Sequence, residues 1–344
     1  MRDTQEAAPS AGEPVIRVEG LTKRYGELVA VDGLSLAVER GEIFGILGPN
    51  GAGKTTTLEM IEGLRKPDGG AVSVDGLAVW PEPREVKRRI GVQLQATALF
   101  DYQRLYEIIS VFGSCYGIHR GRDESAALLA RVGLGDKTEA FVNELSGGQA
   151  QRLSIALALV NDPVVTFLDE PTTGLDPRAR RALWEVIGEI NRDGTTVVLT
   201  THYMEEAEQL CDRVAVMDRG RMMALDVPRA LITQLGAEAT VRFDLSDRVP
   251  ADELCGLDGA TACRALDEGY EVVADDAQRT VVSLLDFARA RGLRVAHLDV
   301  RGADLEDVFL SMTGRKLSDD EEGAEATTAG AATKKRRFGF RGGR

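Results

Sequence analysis

The stretch "GPNGAGKT", Gly48 to Thr55, fits the pattern G-x-x-x-x-G-K-S/T. Its chemistry is phosphate binding. Gly48, Asn50, Gly51 and Gly53 let successive backbone N–H groups curl around phosphate oxygens, and a helix starting behind them turns its positive dipole end toward the anion. Lys54 then reaches the β- and γ-phosphates of a nucleotide, the Thr55 hydroxyl suits Mg²⁺, and Thr56 offers a hydroxyl to another phosphate oxygen. A second run, "ELSGGQAQRLS" from Glu144 to Ser154, also sets glycines and a serine ahead of a helix-like apolar run, but it carries no lysine. The chain thus holds a second glycine-rich anion cradle that lacks the cation of the first.

"PVVTFLDEP" puts Asp169 and Glu170 side by side at the exit of an apolar run. One carboxylate suits Mg²⁺ and the next suits a water, so Asp169 is expected on the metal side and Glu170 as the general base. His202 closes "TTVVLTTH", from where a histidine reaches a γ-phosphate. Gln95, behind "RIGVQL", carries an amide for Mg²⁺ and for water at the entry to a helical stretch. Taken singly these residues have ordinary structural readings, an acidic pair as a helix cap and a histidine as a packed side chain. Behind a phosphate loop, the catalytic reading gains weight.

Such a constellation needs a scaffold that brings strand ends together. From Val15 to about Asp226, short apolar runs alternate with helical periodicity, which predicts an α/β domain. "EIFGILG", "PVVTFLD" and "TTVVLTTH" are near-continuous apolar runs, as strands buried on both faces require, and ligands of open α/β sheets bind at the carboxyl ends of strands. Between Gln95 and Asn143 the pattern is mostly helical, a mobile insertion between strands. The expected division is a disordered lead at 1–14, a nucleotide-binding domain at 15–228 with a helical subdomain at about 96–150, a small α+β domain at 229–314, and a tail at 315–344. The tail runs from acidic "DDEEGAE" to basic "KKRRFGFRGGR" and reads as solvated and disordered.

Composition sets limits on function. With 344 residues, 43% of them hydrophobic, there is room for one large domain and a smaller one, while a net charge of −13 argues against a nucleic-acid partner. Cys115, Cys211, Cys255 and Cys263 form no CxxC pair and no metal-ligand spacing, so all four are expected as reduced thiols of a cytosolic protein. The N-terminal stretch lacks the apolar core of a secretory signal, and no run approaches the ~18 apolar residues of a membrane span. Any membrane role must come through a partner.

In order and spacing, "GPNGAGKT", "LSGGQ", "VVTFLDE", "TTGLDP" and "TTH" resemble the ATP-binding subunit of an ABC transporter over residues 15–228. The resemblance implies a P-loop ABC ATPase fold, a RecA-like core with an antiparallel β subdomain and the helical insertion. It also implies ATP and Mg²⁺ as cofactors, hydrolysis that powers a separate integral membrane permease, and a peripheral place on the cytoplasmic face of the membrane. In that family two such subunits, here expected as a homodimer, pack head to tail, so that Ser146, Gly147, Gly148 and Gln149 face ATP held by the other subunit's P-loop. Asp176 in "TTGLDP" would run along that interface, and Tyr25 matches the aromatic that stacks on adenine. Ala150 stands where the family usually has a larger polar side chain, and "LQATALF" lacks an acidic residue that often follows the glutamine. "TTTLEMIEGLRKPDGG" and "DLEDVFLSMTGR" are similar to the daunorubicin-resistance type of exporter ATPase. The alternatives are an ABC ATPase of translation or DNA maintenance, or a nucleotide-dependent regulator.

Overall fold

The computed structural model describes residues 13–93, 102–234, 239–266 and 268–313. The chain divides into two units, Met1–Leu225 and Asp226–Arg344. The first unit opens on alternation: in β1 (Ile16–Tyr25), Ile16, Val18 and Leu21 are buried while Arg17 and Glu19 face water. β1 pairs antiparallel with β2 (Leu28–Val38). The chain then enters β3 (Ile43–Leu47), buried at every position, and α1 (Lys54–Ile61). β4 (Gly69–Val74) and β5 (Leu77–Ala78) complete a four-stranded antiparallel sheet in the order β2-β1-β4-β5.

The second sheet is of another kind. α2 (Pro83–Arg89), with proline at its start, leads into β6 (Ile90–Gln93), and α3 (Leu105–Cys115), α4 (Arg122–Arg131) and α5 (Gly147–Ala158) follow. Then come β7 (Val165–Asp169), α6 (Pro177–Arg192), β8 (Thr196–Thr201), α7 (Met204–Leu210), β9 (Arg213–Asp218) and β10 (Arg221–Asp226). The strands form a six-stranded sheet in the order β10-β9-β3-β8-β7-β6, with the pairs from β9 through β6 all parallel. β3, β7 and β8 are buried throughout because helices and the other sheet cover both faces, which is why their sequences are continuous apolar runs. Phe44, Ile46, Phe167 and Val198 of this sheet share one core with Val18, Leu21 and Leu34 of the antiparallel sheet and with Leu58 and Ile61 of α1. At Gly91 a Cβ would run into the carbonyl of Ala158, so the glycine lets β6 and α5 lie against each other.

Register decides where the chemistry meets. Leu47 at the end of β3 lies opposite Thr201, and Asp169 at the end of β7 lies opposite Thr200. Three loops therefore leave the sheet at one rim: the glycine loop, the Asp169–Glu170 exit and the Thr201–His202 exit.

The second unit holds α8 (Pro228–Gln234), β11 (Ala239–Leu245), α9 (Ala251–Leu254), β12 (Ala260–Ala265), β13 (Tyr270–Ala274), α10 (Ala277–Ala290), β14 (Val295–Gly302) and α11 (Leu305–Thr313). Its sheet is antiparallel in the order β12-β13-β11-β14. α10 is capped by Asp276, whose carboxylate accepts the Arg279 N–H at 2.9 Å, and it buries Leu284 against Val241, Phe243 and Val272. Two features differ from expectation. "ATACRA" is a strand, β12, although its side chains are mostly small and exposed; pairing with β13 holds it, and no hydrophobic alternation announces it. Cys255 and Cys263 are joined by a disulfide, with Cα atoms 5.4 Å apart, so only Cys115 and Cys211 are free thiols. The correction has a tertiary cause: β12 returns beside α9, placing the Cys263 sulfur near the Ala251 carbonyl, and spacing in sequence does not reveal that return. Among the described residues no helix is long and apolar enough to cross a membrane.

Candidate functional site

The loop from Gly48 to Gly53 joins β3 to α1. Gly51 and Gly53 have φ of 80° and 101°, the left-handed region, and a side chain at Gly53 would collide with the Ala30 carbonyl. Gly53 is also the N-cap of α1, and no side chain caps that helix. The first N–H groups of α1 therefore point into the loop without a side-chain acceptor, the arrangement that receives anions. Lys54, 4% exposed, donates from Nζ to the carbonyls of Gly48 at 2.8 Å and Pro49 at 3.2 Å. The same Nζ lies 3.3 Å from Glu170 Oε1. Burial pushes its pKa down and the Glu170 carboxylate pulls it back.

Beside this loop is a cavity of ≈ 550 Å³ lined by Tyr25, Leu28, Asn50, Lys54, Thr56 and Glu170 among others. The Tyr25 ring is half-exposed on its wall, with the Arg65 guanidinium 5.4 Å and Lys23 Nζ 5.8 Å from the ring centre. Lys23 is anchored by Asp68 at 2.9 Å and Arg65 by Glu59 at 2.5 Å, so the cations beside the ring are themselves held. A half-open aromatic face beside a phosphate cradle suits a planar base.

Asp169, 8% exposed, accepts the Thr55 hydroxyl at 3.1 Å and the Thr200 hydroxyl at 2.5 Å. Carboxylate and hydroxyl oxygens fit a hard cation such as Mg²⁺, which commonly takes one or two carboxylates and fills its shell with phosphate and water. Among the described residues no group of three His, Cys, Asp or Glu side chains could hold a metal ion. Glu170 follows with φ of 48°, a left-handed backbone that a glutamate rarely adopts. Its N–H donates to the Thr200 hydroxyl at 3.0 Å, and Oε1 lies 3.3 Å from Lys54 Nζ and 3.4 Å from His202 Nδ1. The hydrogen bond from His202 is the largest cause holding this carboxyl down to about 2, against burial and with help from Lys54. The result is an ionised acceptor at the cavity wall, clamped by two groups that a phosphate would also attract.

The second glycine run is arranged differently. Ser146 is the N-cap of α5 and takes the Gln149 N–H on its hydroxyl at 3.4 Å, while the Gln149 side chain takes the Ser146 N–H at 3.0 Å. Asp176 caps α6 in the same manner, accepting from Arg178 and Ala179 at 2.9 and 3.0 Å. Behind these loops the fully buried Glu206 of α7 accepts the Trp184 indole N–H of α6 at 3.0 Å. Burial pushes its carboxyl up, and hydrogen bonds from Thr201, Thr172 and Trp184 oppose that rise.

Tyr25, Asn50, Gly51, Gly53, Lys54, Thr55, Thr56 and Glu170 thus line one cavity, with Gly48 at its base accepting from Lys54. Asp169 and His202 stand against Thr55 and Glu170. Ser146, Gly147, Gly148, Gln149 and Asp176 are not on that lining. Gln95 lies outside the described residues; β6, which leads toward it, ends at Gln93 opposite Leu168. Sequence reasoning missed Arg219, which lines the cavity with φ of 47°; the "DRGR" turn after β9 was its signal. It also missed Glu62, buried at the end of α1 and raised to about 8 by burial first and by the charge of Asp169 next. Nothing in its sequence neighbourhood marks that carboxyl.

Comparison with known proteins agrees with this geometry. Residues 31–173 match the family model described as ABC transporter. The chain is 41% identical to the Nod factor export ATP-binding protein I of Ralstonia nicotianae, over 93% of this chain and 100% of that one. It is 35% identical to the linearmycin resistance ATP-binding protein LnrL of Bacillus subtilis, over 89% of this chain and 100% of that one. Among solved structures, it is similar to a dimeric ATP-binding cassette in a post-hydrolysis state bound to ADP and Pi: TM-score 0.55, 28% identity, 62% of this chain and 98% of that one.

Proposed function

The chain belongs to the ABC transporter family as one of its ATP-binding, ATP-hydrolysing subunits, and on that premise we propose that it powers an exporter whose membrane-crossing part is a separate permease. The relatives named for Nod factor export and linearmycin resistance support export of a drug, an antibiotic or another hydrophobic compound. The subunit then sits on the cytoplasmic face of the membrane, held there by the permease.

In this reading ATP occupies the ≈ 550 Å³ cavity, its base on Tyr25 and its phosphates on the loop N–H groups and Lys54. Thr55, Asp169 and Gln95 would hold Mg²⁺, which would supply positive charge to the phosphates. Glu170 is the general base. A γ-phosphate draws the Lys54 ammonium and the His202 ring toward itself, so the carboxylate loses the partners that hold it at about 2 and becomes more basic. It accepts a proton from water as the water oxygen bonds to the γ-phosphorus; the bond from that phosphorus to the β–γ bridging oxygen breaks, and its electron pair leaves with ADP. Ser146 through Gln149 serve the other subunit's ATP in a head-to-tail dimer. Their absence from the cavity lining and the dimeric cassette among similar structures support that assignment.

The observation that carries the reading is Glu170 on the cavity wall within 3.3 Å of Lys54 and 3.4 Å of His202. Glu170→Gln is expected to slow ATP hydrolysis by roughly 10²- to 10⁴-fold, leave ATP binding nearly unchanged and trap an ATP-dependent dimer. Steady-state phosphate release and size-exclusion light scattering check this. Turnover close to that of the unaltered protein would remove Glu170 as the base.

A further inference from the structure

Among the described residues β14 is an edge of the C-terminal sheet, paired to β11 on one side. Every residue from Ala296 to Gly302 is exposed. An open edge offers a row of unpaired N–H and C=O groups, and proteins commonly blunt such edges with lysine, proline or a bulge. In β14 the irregularity is confined to the start, where His297 has φ of 47° and the register with β11 shifts between Arg242 and Asp244. Beyond it, Leu298 to Gly302 contains neither lysine nor proline. Leu298 and Val300, 41% and 45% exposed, lie on one face of this stretch.

The other face carries charge in order. Register places Arg264 of β12 beside Glu271 of β13, Glu271 beside Arg242 of β11, and Arg242 beside Asp299 of β14. The two arginines hold Glu271 at 2.6 and 2.7 Å. Signs alternate across all four strands, and the row stops at the edge on an anion.

We propose that this edge is closed by β14 of a second copy of the chain, running antiparallel with the two-fold axis at Val300. In this register Val300 faces the partner's Val300, and Asp299 faces the partner's Arg301 in both directions. Asp299, where the row ends, thus meets an arginine of the second copy, and opposite charges directly across strands attract while like charges repel. Centring the pair on Asp299 instead would oppose two aspartates. Centring it on Leu298 would need His297 to extend, which its left-handed backbone does not. An isologous pairing of one surface with itself closes under two-fold symmetry and covers both β14 edges, with β12 left as the edge at each end of the joined sheet. It needs no nucleotide, which separates it from the head-to-tail association of the ATP sites.

Sedimentation equilibrium of the full chain without nucleotide, at roughly 10–100 μM where weak interfaces are populated, tests the proposal. A dimer is expected for the unaltered chain, and a monomer for V300K, for D299R and for R301D, each with its circular dichroism spectrum retained. Mixing D299R with R301D restores complementary pairs at both positions, so those two chains should associate with each other while each remains monomeric alone. R301D also loses contacts to Asp304 and Asp307 within the chain, so V300K serves as an independent variant. S146R should leave this dimer intact. A nucleotide-free monomer overturns the proposal, as does a dimer that survives V300K and D299R or one that S146R abolishes.

Discussion

The heads of α1 and α5 are two glycine-rich helix starts in one unit, and they solve the same problem in opposite ways. At α1, Gly53 leaves the first N–H groups without a side-chain acceptor and Lys54 is buried beside them, held by carbonyls and Glu170. At α5, Ser146 and Gln149 cap each other's N–H groups. The first is a cradle shaped for an anion, while the second is already satisfied and exposes its polar groups at a surface. A preformed site binds by itself; a self-capped one contributes when another surface is pressed against it.

The largest effect that would break this contrast is at the lysine. Lys54→Ala removes charge-assisted hydrogen bonds worth about 1.5–3 kcal/mol each, so ATP affinity of the isolated chain, read by titration calorimetry, is expected to fall roughly 10²-fold or more. Ser146→Arg should leave that affinity unchanged and reduce hydrolysis at saturating ATP by roughly 10-fold or more, because the bulky cation obstructs only a facing subunit. Equal loss of binding in both variants would erase the distinction between the two helix heads.

Two smaller effects sharpen the comparison. Glu170 sits at about 2 in the folded chain against 4.5 ordinarily, so its folded pKa is depressed. The stability it contributes, up to about 3 kcal/mol, is full above about pH 4.5 and is lost as pH falls toward 2. Chemical denaturation of the unaltered protein and Glu170→Gln across that window should show their difference shrinking as acid is added. Ser146→Ala removes one cap and is expected to cost about 1 kcal/mol, seen as a lower thermal midpoint, with no comparable cap to lose at Gly53.

Much of this was legible in residue types. The apolar runs of β3, β7 and β8 announced a sheet covered on both faces, and an α/β fold followed from their alternation with helices. Lys54, Thr55, Asp169, Glu170 and His202 could be picked out because each stands at the exit of such a run. Arg219 was less visible, since a turn after a strand carries no chemical label. β12 escaped because small exposed residues give no periodic contrast, and the disulfide because Cys255 and Cys263 meet only through the return of that strand beside α9.

The sequence by itself determined which side chains are available and which backbone can bend around a phosphate, because glycine tolerance, helix capping and apolar periodicity are local properties. Tertiary structure alone decided that Lys54, Glu170 and His202 share one set of contacts although 116 and 32 positions separate neighbouring members of that trio. It decided too that Arg264, Glu271, Arg242 and Asp299 form one row ending at an open edge. Both depend on strand order and register, which are set by which buried faces fit together across the chain and leave no mark in any short stretch of it.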